Sequence, residues 1–142
     1  MTLILSALAL FAAGATVRSD EEIGHWLAYY YLNPEPIEAI NYLTPLNAAY
    51  LRNKGISLAG ESERGGIRSF YAEILAASPE AVRELERTLP ELDIDVRVFA
   101  NAAIARCASD ECERIRGVPL SEVEEPLSVA ALDDYWAAFF AT

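Results

Sequence analysis

One histidine, two cysteines and a surplus of carboxylates are the groups through which this chain could do chemistry. His25 follows Glu21 by one helical turn and precedes Tyr29 by one, so in a helix Glu21, His25, Tyr29 and Asn33 line up as a single stripe. That stripe can hold a ligand, with Tyr29 stacking on it and His25 changing charge. The more ordinary reading is a solvated helix face, in which the Glu–His pair supports the helix by about 0.2–0.5 kcal/mol. Nucleophilic catalysis usually sets a histidine beside a serine or cysteine, and a single histidine leaves little room for it. Glu122, Glu124, Glu125, Asp133 and Asp134 could supply the acid and base of a hydrolase, though their spacing also suits helix caps and surface charge. Asp133 and Asp134 join the stripe as candidate binding residues.

Cys107 and Cys112 are the only cysteines. Residues five apart in one continuous helix diverge beyond the about 7 Å between Cα atoms that a disulfide tolerates. A turn at Ser109-Asp110 would bring them together and let a bridge staple two consecutive helices; two separate buried thiols are the alternative. Two cysteines and one histidine cannot complete the usual four ligands of a zinc site. The chain also has no glycine-rich phosphate loop, no His-Glu-x-x-His pattern and no calcium-loop signature. Neither metal nor cofactor is expected.

The elements that must position these groups read as helices. Ser19-Asp-Glu-Glu22 has the form of a capping box, and Ile23, Trp26, Leu27, Tyr30 and Tyr31 follow at i, i+3, i+4, i+7 and i+8. That face predicts a core-packed helix with Tyr30 and Tyr31 inside and Tyr29 outside. Pro34 and Pro36 stop it and open the next, in which Ile37, Ile40 and Leu43 share a side. Thr44-Pro45 starts another helix, and Gly55 is its left-handed stop. The stretch 57–66 is polar and glycine-rich and predicts a loop joining two helical halves. Ile67, Phe70, Tyr71, Ile74 and Leu75 repeat the first pattern; Ser78-Pro79 opens a helix carrying Val82, Leu85 and Leu89. The segment from Asp93 to Cys107 alternates briefly like a strand but runs on without a turn signal, which predicts a helix. A short helix from Asp110 ends at Gly117, and Ser128 introduces a last amphipathic one through Trp136, Phe139 and Phe140.

The junctions around Asn33, Ser78 and Ser109 echo one another: an apolar helix end, a polar cap, a proline or acid, then a second helix. Their spacing is unequal. The pattern predicts an all-α fold of antiparallel helical hairpins, α-solenoid-like, from degenerate helix-turn-helix repeats.

Composition bounds the partners. The 142 residues, 53% hydrophobic and 23% charged, suit a single globular domain. Eleven basic against 22 acidic residues give a net charge of −11, a field that repels nucleic acid and favours a basic protein or peptide. Residues 1–17 carry no charged side chain and fall short of the roughly twenty apolar residues of a membrane span. Leu3 to Phe11, followed by Ala13-Gly14-Ala15, predict a signal peptide over 1–15 and one helical domain over 16–142. A retained core helix, which would place the chain in the cytoplasm, and a membrane anchor are the alternatives.

Trp26-Leu-Ala-Tyr-Tyr-Tyr31 with Pro34-Glu-Pro36, and Leu132 through Trp136 to Phe139-Phe-Ala-Thr142, resemble segments of exported all-helical bacterial proteins to which no activity is assigned. The likeness covers the two ends better than the middle. It implies a periplasmic or secreted helical fold and carries over no catalytic residue. Such proteins continue beyond the Phe-Phe-Ala-Thr segment, which implies a shortened form. The expectation is an exported protein-binding module. Two alternatives stand beside it: an immunity-type inhibitor of a basic toxin, and a carboxylate-based hydrolase.

Overall fold

The computed structural model describes residues 18–61 and 66–117. Eight α-helices follow in order among them: α1 (Asp20–Tyr29), α2 (Pro36–Asn41), α3 (Leu43–Lys54), α4 (Leu58–Glu61), α5 (Ile67–Ala77), α6 (Pro79–Thr88), α7 (Ile94–Arg106) and α8 (Asp110–Arg116). Single 3₁₀ turns follow α1 (Tyr30–Leu32) and α6 (Leu89–Glu91). There is no strand among the described residues, and no helix there is long and apolar enough to cross a membrane.

Local chemistry sets most of these boundaries. The Ser19 N–H donates to the Glu22 carboxylate at 2.7 Å while the Glu22 N–H donates to Ser19 Oγ at 3.2 Å, the reciprocal pair of a capping box. Pro36 and Pro79 sit in the first turns of α2 and α6, where a missing N–H costs nothing. Gly55 and Gly117 end α3 and α8 with φ of 69° and 80°, a region a side chain would strain. Ser78 and Ser109 cap α6 and α8 by accepting the N–H of Ala81 and Cys112. Asn33 does no such thing: α2 starts after Glu35 without a side-chain cap. The similarity between the three junctions therefore holds chemically at two of them.

The core gathers one face from each helix: Ile23, Ile40, Leu43, Leu46, Leu58, Tyr71, Ile74, Leu75, Val82, Leu85, Val96 and Phe99 are all buried. Helix α5 packs most heavily on α7, and α2 on α6. The Tyr71 and Asn47 side chains, polar groups carried into the interior, are paired, as burial demands. The Tyr71 hydroxyl donates to the Ala39 carbonyl at 2.9 Å, and Asn47 Oδ1 accepts the Leu58 N–H at 2.8 Å. That last bond is why 57–66 is not simply a loop. Asn47 in α3 holds the start of α4, and Leu58 drops fully into the core.

Two side chains expected inside lie outside. Tyr31 is 57% exposed, because α1 gives way after Tyr29 to a 3₁₀ turn, whose larger rotation per residue carries the position after Tyr30 off the apolar face. Ile37 is exposed, whereas Ile40 and Leu43 are buried, since Ile37 lies in the first turn of the short α2 and Leu43 already belongs to α3, so the three do not share one continuous helical face. The signal-peptide segment 1–15 and the helix expected from Ser128 lie outside the described residues.

Cys107 and Cys112 form a disulfide, with Cα atoms 5.8 Å apart and both residues fully buried. Helix α7 ends at Arg106 and α8 begins at Asp110, so the chain turns between them. Arg116, from the end of α8, donates to the carbonyls of Ile104 (2.7 Å) and Cys107 (3.0 Å), satisfying the C-terminus of α7.

Candidate functional site

A groove of about 550 Å³ runs along α1, over the 3₁₀ turn and onto the Asn33–Glu35 corner. Glu21, His25, Tyr29 and Asn33 all line it, together with Ser19, Glu22, Trp26, Tyr30, Leu32, Glu35 and Tyr42. The i, i+4 stripe is therefore one wall of a concavity rather than an isolated helix face. Asp133 and Asp134 fall outside the described residues.

The stripe is partly self-contacting. The His25 and Tyr29 rings meet with centroids 4.6 Å apart and planes tilted by 42°. Asn33 Nδ2 donates to Glu35 Oε1 at 3.3 Å, fixing the corner where the chain leaves the 3₁₀ turn. Tyr29 stays half exposed at 49%, available to a second molecule.

The floor is aromatic and anchored. Trp26 stacks on Tyr42 with centroids 4.2 Å apart and planes within 6°. Edge-to-face contacts run from Trp26 to Tyr30 (5.6 Å), Tyr30 to Phe70 (5.2 Å), Phe70 to Tyr71 (5.7 Å) and Tyr71 to Phe99 (5.5 Å). Each such pair contributes about 0.5–1.5 kcal/mol beyond its buried area. The series connects the groove to the centre of the core, so α1 is held in place before any ligand arrives. Sequence periodicity reveals Trp26 and Tyr30 but not Tyr42, which reaches the groove from the α2–α3 junction; no local spacing signals that contact.

A cation already occupies the outer edge of this stack. The Arg18 guanidinium lies 4.0 Å from the Tyr42 ring centroid, its Nη1 donates to the Tyr42 hydroxyl at 2.8 Å, and it pairs with Glu38. Because Trp26 covers one face of Tyr42, Arg18 must take the other, giving an Arg–Tyr–Trp sandwich. Lys54 repeats the motif, 4.5 Å above the Tyr50 ring.

Charge in the groove is one-sided. Among the described residues its lining holds three carboxylates, Glu21, Glu22 and Glu35, and no lysine or arginine. Glu22 is held below the usual carboxylate range, first by the Ser19 N–H and then by the Ser19 hydroxyl, so it is ionised. Burial, and secondarily the Glu35 charge, push the Tyr30 phenol up to about 12, which keeps it neutral.

On α6 and α8 four glutamates are paired with arginines. Arg83 bridges Glu80 and Glu111, Arg114 bridges Glu86 and Glu111, and Arg87 holds Glu84, a network that joins α6 to α8. Asp20 is engaged by Arg52 and Asn53. The carboxyls whose titration departs from the ordinary, Asp20, Glu22, Glu84 and Glu86, are all shifted down through hydrogen bonds from their partners. No cluster of histidine, cysteine and carboxylates that could hold a metal ion occurs among the described residues. Comparison with protein-family models, with curated proteins and with solved structures finds no match for this chain.

Proposed function

We propose that the chain is an exported helical interaction module that binds a basic protein or peptide through the α1 groove. The observation that carries this reading is the lining itself: three carboxylates beside exposed aromatic surface and, among the described residues, no lysine or arginine in the lining, the neighbouring cation, Arg18, being committed to Tyr42 and Glu38. Glu80, Glu84, Glu86 and Glu111 of α6 and α8 are ion-paired with arginines, whereas in the groove Glu22 is engaged by the Ser19 cap and Glu35 by the neutral Asn33 amide, and among the described residues neither Glu35 nor Glu21 has a cationic partner. Carboxylates around aromatic faces are the surroundings that desolvated ammonium and guanidinium groups favour. The downward shift of Glu22 suits an ionised acceptor.

Export is supported by the apolar leader pattern of 1–15 and by a disulfide, since such bridges persist in oxidising compartments. The stacked-hairpin reading draws support from consecutive helices meeting at serine caps, α5 with α6 and α7 with α8, and from α5 lying against α7.

The test is a titration of the full chain with oligolysine, followed by calorimetry at low and at high ionic strength. Binding at low salt that weakens as salt screens the groove, and that Glu21→Gln with Glu35→Gln reduces by about 2- to 30-fold, is the expected result; each lost charge contact contributes about 0.2–1 kcal/mol at an exposed site. Equal binding by wild type and double variant would overturn the assignment to this groove.

A further inference from the structure

We infer that the partner presents an amphipathic basic segment: its cation enters the groove while its apolar side chains seat on a ridge formed by Tyr29, Tyr31 and Leu32. This rests on the reading of the groove as a site for a basic partner and says what else that partner must carry. The ridge is the most exposed run of large apolar residues among those described, at 49%, 57% and 67%. Tyr29 and Leu32 also line the groove, so apolar ridge and acidic trough form one continuous surface.

The fold produces the ridge by a specific device. Had α1 continued as an α-helix, Tyr31 would have faced the core beside Tyr30. The 3₁₀ turn Tyr30–Leu32 instead swings Tyr31 and Leu32 outward, while Asn33-Pro34 and the Asn33–Glu35 bond fix the corner after them. Large apolar side chains clustered at a rigid corner and rimmed by polar groups mark an interaction surface. Charge complementarity identifies the occupant. A purely apolar partner would leave Glu21 and Glu35 desolvated without a counter-charge, and a purely polar cation would leave the ridge in water. The chain shows the required geometry internally, where Arg18 lies over Tyr42 and pairs with Glu38. Groove and ridge ask for the same arrangement from outside, with an apolar neighbour next to the cation. A helix meets this by spacing lysine or arginine and leucine at i, i+3 and i+4.

The experiment uses the full chain and three fluorescent peptide probes: leucine and lysine in i, i+3, i+4 register, the same composition scrambled, and oligolysine of equal charge. Anisotropy titrations are run with wild type, Leu32→Ser and Glu21→Gln. The patterned peptide is expected to bind at least tenfold tighter than either control, Leu32→Ser to remove that advantage without changing the salt dependence, and Glu21→Gln to lessen the salt dependence for all three. If oligolysine binds as tightly as the patterned peptide and Leu32→Ser changes neither, the ridge has no part in binding and this inference fails while the basic-partner reading stands. If none of the three binds at low salt, that reading fails too. Sedimentation velocity covers the remaining occupant. Self-association that Leu32→Ser abolishes would assign the ridge to a second copy of the chain and overturn the proposal.

Discussion

Asn47 and Leu58 show how much a single side chain decides in this molecule. The Asn47 amide oxygen accepts a backbone N–H across eleven residues inside the core, and Asn47→Ala leaves that donor unpaired. The expected loss is about 1–3 kcal/mol, the cost of a buried unsatisfied group, read as a lower urea midpoint at unchanged slope. A change within a few tenths of a kcal/mol would mean that water replaces the amide. The capping box gives a second expectation at this scale. The Glu22 carboxyl titrates below the ordinary glutamate value of 4.5 in the fold, so its contribution to stability is present above that value and is lost as pH falls through the folded value. Glu22→Gln should therefore be less stable than wild type near neutrality, with the gap closing on acidification; a gap that widens in acid contradicts the assigned contact. Single residues were legible in the sequence wherever a local rule governs them, as at Ser19, Gly55 and Gly117. Tyr31 was not, because its direction depends on where the α-helix tightens into a 3₁₀ turn, and a residue spacing written for one period cannot register the switch.

Helices were legible where an apolar face repeats for two turns or more. The faces of α5 and α6 are visible in the spacing of Phe70, Tyr71, Ile74, Val82 and Leu85, and α7 in the unbroken run through Phe99, Ala100 and Ala103. Helix α4 was not, since a single turn carries no periodicity and its formation depends on Asn47 from another helix. The Asp110–Arg116 helix, with its Ser109 cap, was readable, and so was the turn that makes a bridge between Cys107 and Cys112 possible; which of bridge and free thiols forms is a matter of distance that spacing alone leaves open. Reducing the disulfide should cost about 2 kcal/mol by the loop-entropy model for so small a loop, seen as a fall in melting temperature of the reduced chain. An unchanged melting temperature would show that Arg116, bonded to the carbonyls of Ile104 and Cys107, holds the α7–α8 corner unaided.

At the scale of the whole molecule, acidity is a matter of arrangement more than of sum. A net charge of −11 was plain from composition. Its division was not: Arg83, Arg87 and Arg114 pair with Glu80, Glu84, Glu86 and Glu111 across α6 and α8, whereas Glu21 and Glu35 face a groove whose lining, among the described residues, has no lysine or arginine. The four stripe residues were identifiable from i, i+4 spacing, but Tyr42, Leu32 and Glu35 come to the groove from later turns, and only the folded corner assembles them. The aromatic series from Trp26 to Phe99 links the groove to the core, so Phe99→Ala should destabilise the fold by about 3–5 kcal/mol, read as a lower urea midpoint.

The most direct test is an amide chemical-shift map of the isotope-labelled full chain as oligolysine is added at low salt. The account predicts perturbations concentrated at Glu21, His25, Tyr29, Asn33 and Glu35 that disappear at high salt, with the α6–α8 face unmoved. Shifts centred instead on Glu84, Glu86 and Glu111, or spread evenly over every acidic residue, would contradict it.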